Sequence, residues 1–180
     1  MSFAPVRRRG KTWEDAETLH NMVMKFPFQT TGANERSFEQ GFAVTLLNAK
    51  EKYNQTIYSQ VDRDNHVQSV YCFGKHHRPD MTIGSDGIAV ELKYISYAGL
   101  KDAIGQGHLY RIQNKFVFLI LIFSQERKQV YYDIEKGKES DLENTLRYLE
   151  ENMNIFTYLV PSFKLKGTAV RKVIPFSPWE

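Results

Sequence analysis

The chain has 180 residues, 42% of them hydrophobic and 25% charged, with a net charge of +3 and a pI of about 8.9. That profile fits one soluble globular domain with its own core, and its mild basicity allows a polyanionic partner without demonstrating one. A single cysteine, Cys72, excludes an internal disulfide and suits a reducing, cytoplasmic setting; the longest apolar run, Phe116 to Phe123, is too short to span a membrane, so no membrane partner is expected.

The first segment, 1–11, reads as a basic flexible arm. Arg7, Arg8, Arg9 and Lys11 precede the first acid of the next segment, Glu14, and leave the rest of the chain at −1 (3 − 4). No apolar stretch follows that would make a signal peptide. The remainder, 12–180, reads as a single domain. Trp13, Ala16, Leu19, Met22, Val23 and Phe26 recur at three- and four-residue spacing and predict a helix over 12–28, with Thr12 as a possible cap and Pro27 as its end. A loop over 30–34 leads to a second helix over 34–53, with Phe38, Phe42, Leu46 and Ala49 on one stripe. Glu35 and Glu39, four apart, share a face near its start.

Residues 56–61 and 67–73 are rich in β-branched and aromatic types and read as strands joined by a turn over 62–66. Cys72 falls in this second run and reads as a small core residue. Lys75-His76-His77-Arg78 reads as a connecting loop or as a basic lip. Neighbouring histidines in extended chain point to opposite sides, which argues against a shared transition metal.

Two apolar runs then flank Gly84-Ser85-Asp86-Gly87, the pattern of a β-hairpin. Pairing Ile83 with Ile88 sets Thr82 against Ala89, Met81 against Val90 and Asp80 against Glu91. Ile88, Val90, Leu92 and Tyr94 fall on one face; Ala89, Glu91, Lys93 and Ile95 fall on the other. One face therefore gathers Asp80, Glu91 and Lys93. Like charges about 5 Å apart across a ladder are destabilising. Either this is a solvated polar face neutralised by Lys93, or a hard divalent cation sits between the carboxylates.

A helix is predicted over 97–114. Gln106 and Tyr110 share a face on it, and Lys101 and Arg111 add positive charge. Phe116 to Ser124 reads as a central strand covered on both faces, 129–134 as a further strand, 140–152 as a helix capped by Ser140 or Asp141, and 155–160 as a last strand. The stretch from Lys164 to the end predicts no element.

Pro79-Asp80, ten intervening residues, then Glu91-Leu92-Lys93 resembles the signature of the PD-(D/E)XK nuclease superfamily. Gln106-Gly107-His108-Leu109-Tyr110 is similar to the Gln-x-x-x-Tyr element of its RecB-like and lambda-exonuclease-like branches. The resemblance covers roughly residues 34–124. It implies an α/β restriction-endonuclease-like fold: a central mixed sheet flanked by helices in αβββαβ order, here with an extra N-terminal helix and a C-terminal helix and strand. It implies a Mg²⁺-dependent nuclease acting on nucleic acid, DNA before RNA, with Mn²⁺ able to substitute. Asp80, Glu91 and the Leu92 carbonyl would hold the metal. A helix acid would support it, with Glu39 the better match and Glu35 the alternative. Asp80, Glu91 and Lys93 would form the catalytic set, and Gln106, Tyr110, Arg78 and Lys101 would contact substrate phosphate. A homodimer would suit cutting of two strands. The alternative function is a non-catalytic nucleic-acid-binding or assembly subunit that keeps the fold.

Overall fold

The structure is a computed structural model and describes residues 6–28, 34–61, 66–72, 74–95, 97–165 and 173–179. Helix α1 (Lys11–Lys25) and helix α2 (Glu35–Asn48) come first, then strands β1 (Ile57–Ser59), β2 (Val70–Cys72), β3 (Lys75–His77), β4 (Met81–Ile83) and β5 (Ile88–Tyr94). Helix α3 (Tyr97–Gln113), strand β6 (Phe116–Phe123), helices α4 (Lys128–Glu135) and α5 (Ser140–Met153), and strands β7 (Ile155–Pro161) and β8 (Ile174–Phe176) complete the chain. Six strands form one mixed sheet in the order β1-β4-β5-β6-β7-β8, and β2 pairs only with β3 in a separate ribbon. β5, β6 and β7 run parallel; the other sheet pairs are antiparallel.

Alternation along the strands builds two cores. In β6, Phe116, Phe118, Ile120 and Ile122 point to the first face, where α1 and α2 lie over them through Leu19, Val23, Phe38 and Phe42. Val117, Leu119, Leu121 and Phe123 point to the second face, covered by α3, α4 and α5 through Ala103, Tyr110, Tyr131, Leu146 and Leu149. A strand covered on both sides has no polar face to spare, which explains the unbroken apolar run. Between α2 and α3 the main sheet takes three strands, β1, β4 and β5, and the separate β2–β3 ribbon interrupts their run.

The hairpin pairs as its sequence predicts: Ile83 with Ile88, Thr82 with Ala89, Met81 with Val90. Its turn needs Gly87, because a Cβ there would run into the Ile83 carbonyl oxygen.

Several expectations give way. Residues 129–134 are helical, not a strand. β6 and β7 are parallel neighbours, so the chain between them must cross back over the sheet. Tyr131 and Ile134, three apart, bury themselves there, Tyr131 against Phe123 and Phe163. Residues 70–72 pair with 75–77, which had read as a connecting loop, and Cys72 is half-buried. Gly10 rather than Thr12 precedes α1, and Glu139 precedes α5 with no side-chain cap, leaving Ser140 and Asp141 inside the helix. α2 stops at Asn48, with a short 3-10 turn over Lys50–Lys52. β8 had no sequence signal. Of the arm, Arg8 is anchored: its guanidinium donates to Asn154 Oδ1 at 3.0 Å and pairs with Glu150 at 2.7 Å. The turns over 30–33 and 62–65 lie outside the described residues. No helix among the described residues is long and apolar enough to cross a membrane.

Candidate active site

The site begins where the β4–β5 ladder stops. Phe116 N–H donates to Gly87 O and Ile95 N–H to Ile122 O, so odd-numbered residues of β5 turn their backbone groups to β6. Even-numbered residues therefore turn theirs to β4: Ile88 and Val90 meet Ile83 and Met81. Leu92 would meet Pro79 next. Proline has no N–H to offer the Leu92 carbonyl, so the ladder cannot continue.

Side chains finish what the ladder leaves open. Asp80 Oδ2 accepts the Leu92 N–H at 2.7 Å. Glu35 Oε2, at the start of α2, accepts the Tyr94 N–H at 2.7 Å, and its Oε1 pairs with Lys93 Nζ at 3.0 Å. The Leu92 carbonyl thus lies on the edge of β5 between two carboxylate-bound N–H groups. The Pro79 carbonyl is taken by Gln60 Nε2 at 3.0 Å, which fixes the approach to Asp80.

Glu91 is only 4% exposed, and its Oε2 finds no hydrogen-bond partner among the described residues. The Tyr110 hydroxyl lies beside the Glu91 carboxyl and eases its charge slightly, while donating to Arg78 O at 3.0 Å. Burial pushes the Glu91 carboxyl well above the usual range, and the charge of Asp80 pushes it further. Burial also raises Asp80; the Leu92 N–H opposes that rise and the charge of Glu39 adds to it. Glu39 itself is raised by burial and by Glu35. Burial pulls Lys93 down, yet the bond to Glu35 and the charges of Glu35, Glu91 and Asp80 outweigh it and hold the amine above its ordinary value. A buried acid, Glu91, and a half-buried one, Asp80, thus resist ionisation beside a cation held firmly charged.

The sequence reading placed Asp80 opposite Glu91, and the structure brings them within electrostatic reach of each other with Lys93 and the Leu92 carbonyl. Glu39 stands close enough to act on Asp80, but Glu35 makes the direct contacts. The sequence offered both acids one turn apart; which one reaches β5 depends on how α2 docks. Tyr110 is 1% exposed and bonded to backbone, so in the structure it holds the Arg78 segment rather than facing solvent for a phosphate. On the same helix Gln106 Oε1 is buried without a hydrogen bond among the described residues. The Arg78 side chain is exposed, as is Lys101, and neither is tied to the carboxylates by a salt bridge among the described residues.

An orphaned carboxylate oxygen, a second carboxylate and an edge carbonyl are hard oxygen donors of the kind Mg²⁺ takes, with water filling the rest of its shell. No group of three or more His, Cys, Asp or Glu residues placed to hold a metal occurs among the described residues, so Asp80, Glu91 and Glu39 do not converge as a three-acid cage. No family model matches the chain, and no curated protein or solved structure matches it.

Proposed function

We propose that the chain is a metal-dependent nuclease of the PD-(D/E)XK type with a restriction-endonuclease-like core, hydrolysing phosphodiester bonds in DNA. One observation carries the reading: Glu91, buried with an unpartnered oxygen, lies within electrostatic reach of Asp80, one residue from an edge carbonyl and two from Lys93. Nothing in folding calls for that group, since buried charges are costly unless paired.

Asp80, Glu91 and the Leu92 carbonyl would hold Mg²⁺ or Mn²⁺, with Glu39 behind them. When bound, such an ion supplies Lewis acidity and makes water a better nucleophile. The chain's own residues do the rest. Glu35 keeps Lys93 charged and aimed along the strand end, where the ammonium offsets negative charge gathering on the phosphoryl oxygens. Tyr110 fixes the Arg78–Pro79 segment and so the placement of Asp80. The exposed Arg78 and Lys101 side chains meet backbone phosphates, and Gln106 offers an amide to the same group.

The test is incubation of the purified chain with plasmid and with linear DNA in Mg²⁺, against EDTA. Metal-dependent cleavage that Glu91→Gln abolishes is the expected result. Binding without cleavage in both Mg²⁺ and Mn²⁺ would overturn it in favour of a non-catalytic nucleic-acid-binding subunit.

A further inference from the structure

Between β1 and β4 the chain leaves the main sheet to form the β2–β3 ribbon. The sheet does not need it, because β1 pairs directly with β4. The inner side of the ribbon is fixed to α3. Val70 is buried in the second-face core, and Gln68 Oε1 accepts from Gln113 Nε2 at 3.0 Å. The outer side presents Tyr71 and His76, paired across the ladder with ring centroids 5.0 Å apart. Ser69 Oγ lies 2.8 Å from His76 Nδ1 and steadies that ring. Tyr71 is 66% exposed, more than any other exposed large hydrophobic among the described residues.

A single exposed aromatic needs no explanation by itself. Its setting supplies one. Residues 66–79 contain no Asp or Glu, while Lys75 and Arg78 are exposed and neither forms a salt bridge among the described residues. This acid-free ribbon runs straight into the site: His77 is three residues from Asp80, about 10 Å of extended chain.

We infer that the β2–β3 ribbon grips the strand to be cut, with Tyr71 stacking on an unpaired base and Arg78 meeting a flanking phosphate. The inference deepens the nuclease reading and rests on it for the position of the cut. An aromatic platform is useful only to a base whose face is open, and bases inside a duplex are covered by their neighbours. The substrate class is therefore a single-stranded segment or frayed end rather than an intact blunt duplex.

The experiment uses the full chain in EDTA, where nothing is cut. Fluorescence anisotropy measures binding to a labelled oligodeoxythymidylate and to a blunt hairpin duplex. Tyr71→Ala should weaken single-strand binding about tenfold, leave the duplex signal nearly unchanged and, being a surface change, leave the thermal melt unchanged. Tyr71→Phe should keep the affinity, and Arg78→Ala should flatten the salt dependence. Three outcomes overturn the inference: Tyr71→Ala binding the single strand like the parent chain, equal losses on both probes, or neither probe binding. A parallel Mg²⁺ cleavage assay separates the two readings. Cleavage abolished by Asp80→Asn but indifferent to Tyr71→Ala removes the grip and leaves the nuclease. Tyr71-dependent binding without any cleavage removes the nuclease and leaves the grip.

Discussion

β5 and β6 are parallel neighbours in one sheet, paired residue for residue from Ile88 and Phe116 to Tyr94 and Ile122. β6 is buried along its whole length and apolar on both faces. β5 begins the same way, then sets Glu91 beside Leu119 and Lys93 beside Leu121. At the same depth, one strand carries methyl groups and the other a carboxylate without a partner for one of its oxygens. A buried acid costs stability either as an uncompensated charge or through the proton it must retain, so the difference marks where the requirements of folding end. β6 is what the sheet needs to be stable; the upper half of β5 is what it carries in spite of stability.

The comparison can be broken by exchanging the two losses. The largest effect should fall on β5 and on function alone. Glu91→Gln should cut Mg²⁺-dependent cleavage about 10³-fold or more, roughly 4 kcal/mol of transition-state stabilisation, without lowering the urea midpoint. Next in size, Phe118→Ala in β6 should remove about 3–5 kcal/mol of stability, because that ring packs against Phe156, Tyr158 and Trp179. Residual cleavage per folded molecule should stay close to the parent value. A Glu91→Gln chain that unfolds, or a Phe118→Ala chain that melts like the parent, would erase the distinction.

How much of this was legible depends on range. The hairpin register was readable because a period of two and a Gly-bounded turn are local facts, and Asp80, Glu91 and Lys93 followed from it. The β6 run and the stripes of α1, α2 and α5 were readable for the same reason. Residues 129–134 misled because Val130, Tyr131 and Tyr132 favour strands by type, while the crossover that makes them helical is set by strands far along the chain. β8 and the docking of Arg8 on α5 have no local signal at all. The choice of Glu35 over Glu39 as the partner of Lys93 is a matter of how one helix sits on one strand. No residue pattern encodes that.

Glu91 of β5 and Asp80, the residue before β4, also set a pH dependence that β6 cannot share. Burial lifts Asp80 to about 7 and Glu91 above its ordinary value. The native state therefore holds protons that the unfolded chain releases. Their favourable contribution is complete below the unfolded carboxylate range near 4 and disappears as pH rises through about 7. Without divalent ions the protein should be most stable in mild acid and lose stability towards pH 8. Asp80→Asn keeps an oxygen for the Leu92 N–H and removes the charge, so at pH 8 it should gain on the order of 2 kcal/mol, with little gain at pH 4. Millimolar Mg²⁺ at pH 8 should restore about 1–3 kcal/mol to the parent chain and none to the variant. Thermal melts across pH, with and without Mg²⁺, decide this; a parent chain that grows steadily more stable to pH 8 in EDTA would mean the two acids do not oppose ionisation.

The smallest expected effect lies on α3, which serves both strands. Gly107 lets the helix settle on β6, where an added Cβ would meet Leu119 Cδ1 at 3.0 Å. One turn on, Tyr110 reaches the β5 side and spends its proton on Arg78 O. Tyr110→Phe keeps the ring and its packing and takes the hydroxyl away from Arg78 O and from beside Glu91. The cost should be about 1 kcal/mol, the usual value of one such hydrogen bond. If the hydroxyl serves packing alone, stability should fall by that amount while cleavage is unchanged. If it holds the segment that places Asp80, the rate should fall several-fold at saturating Mg²⁺, and the Mg²⁺ concentration needed for half-maximal cleavage should rise. The second result is the one the geometry favours, because Arg78 O and Asp80 are separated by a single proline with a fixed φ, and a carbonyl released at one end shifts the carboxylate at the other.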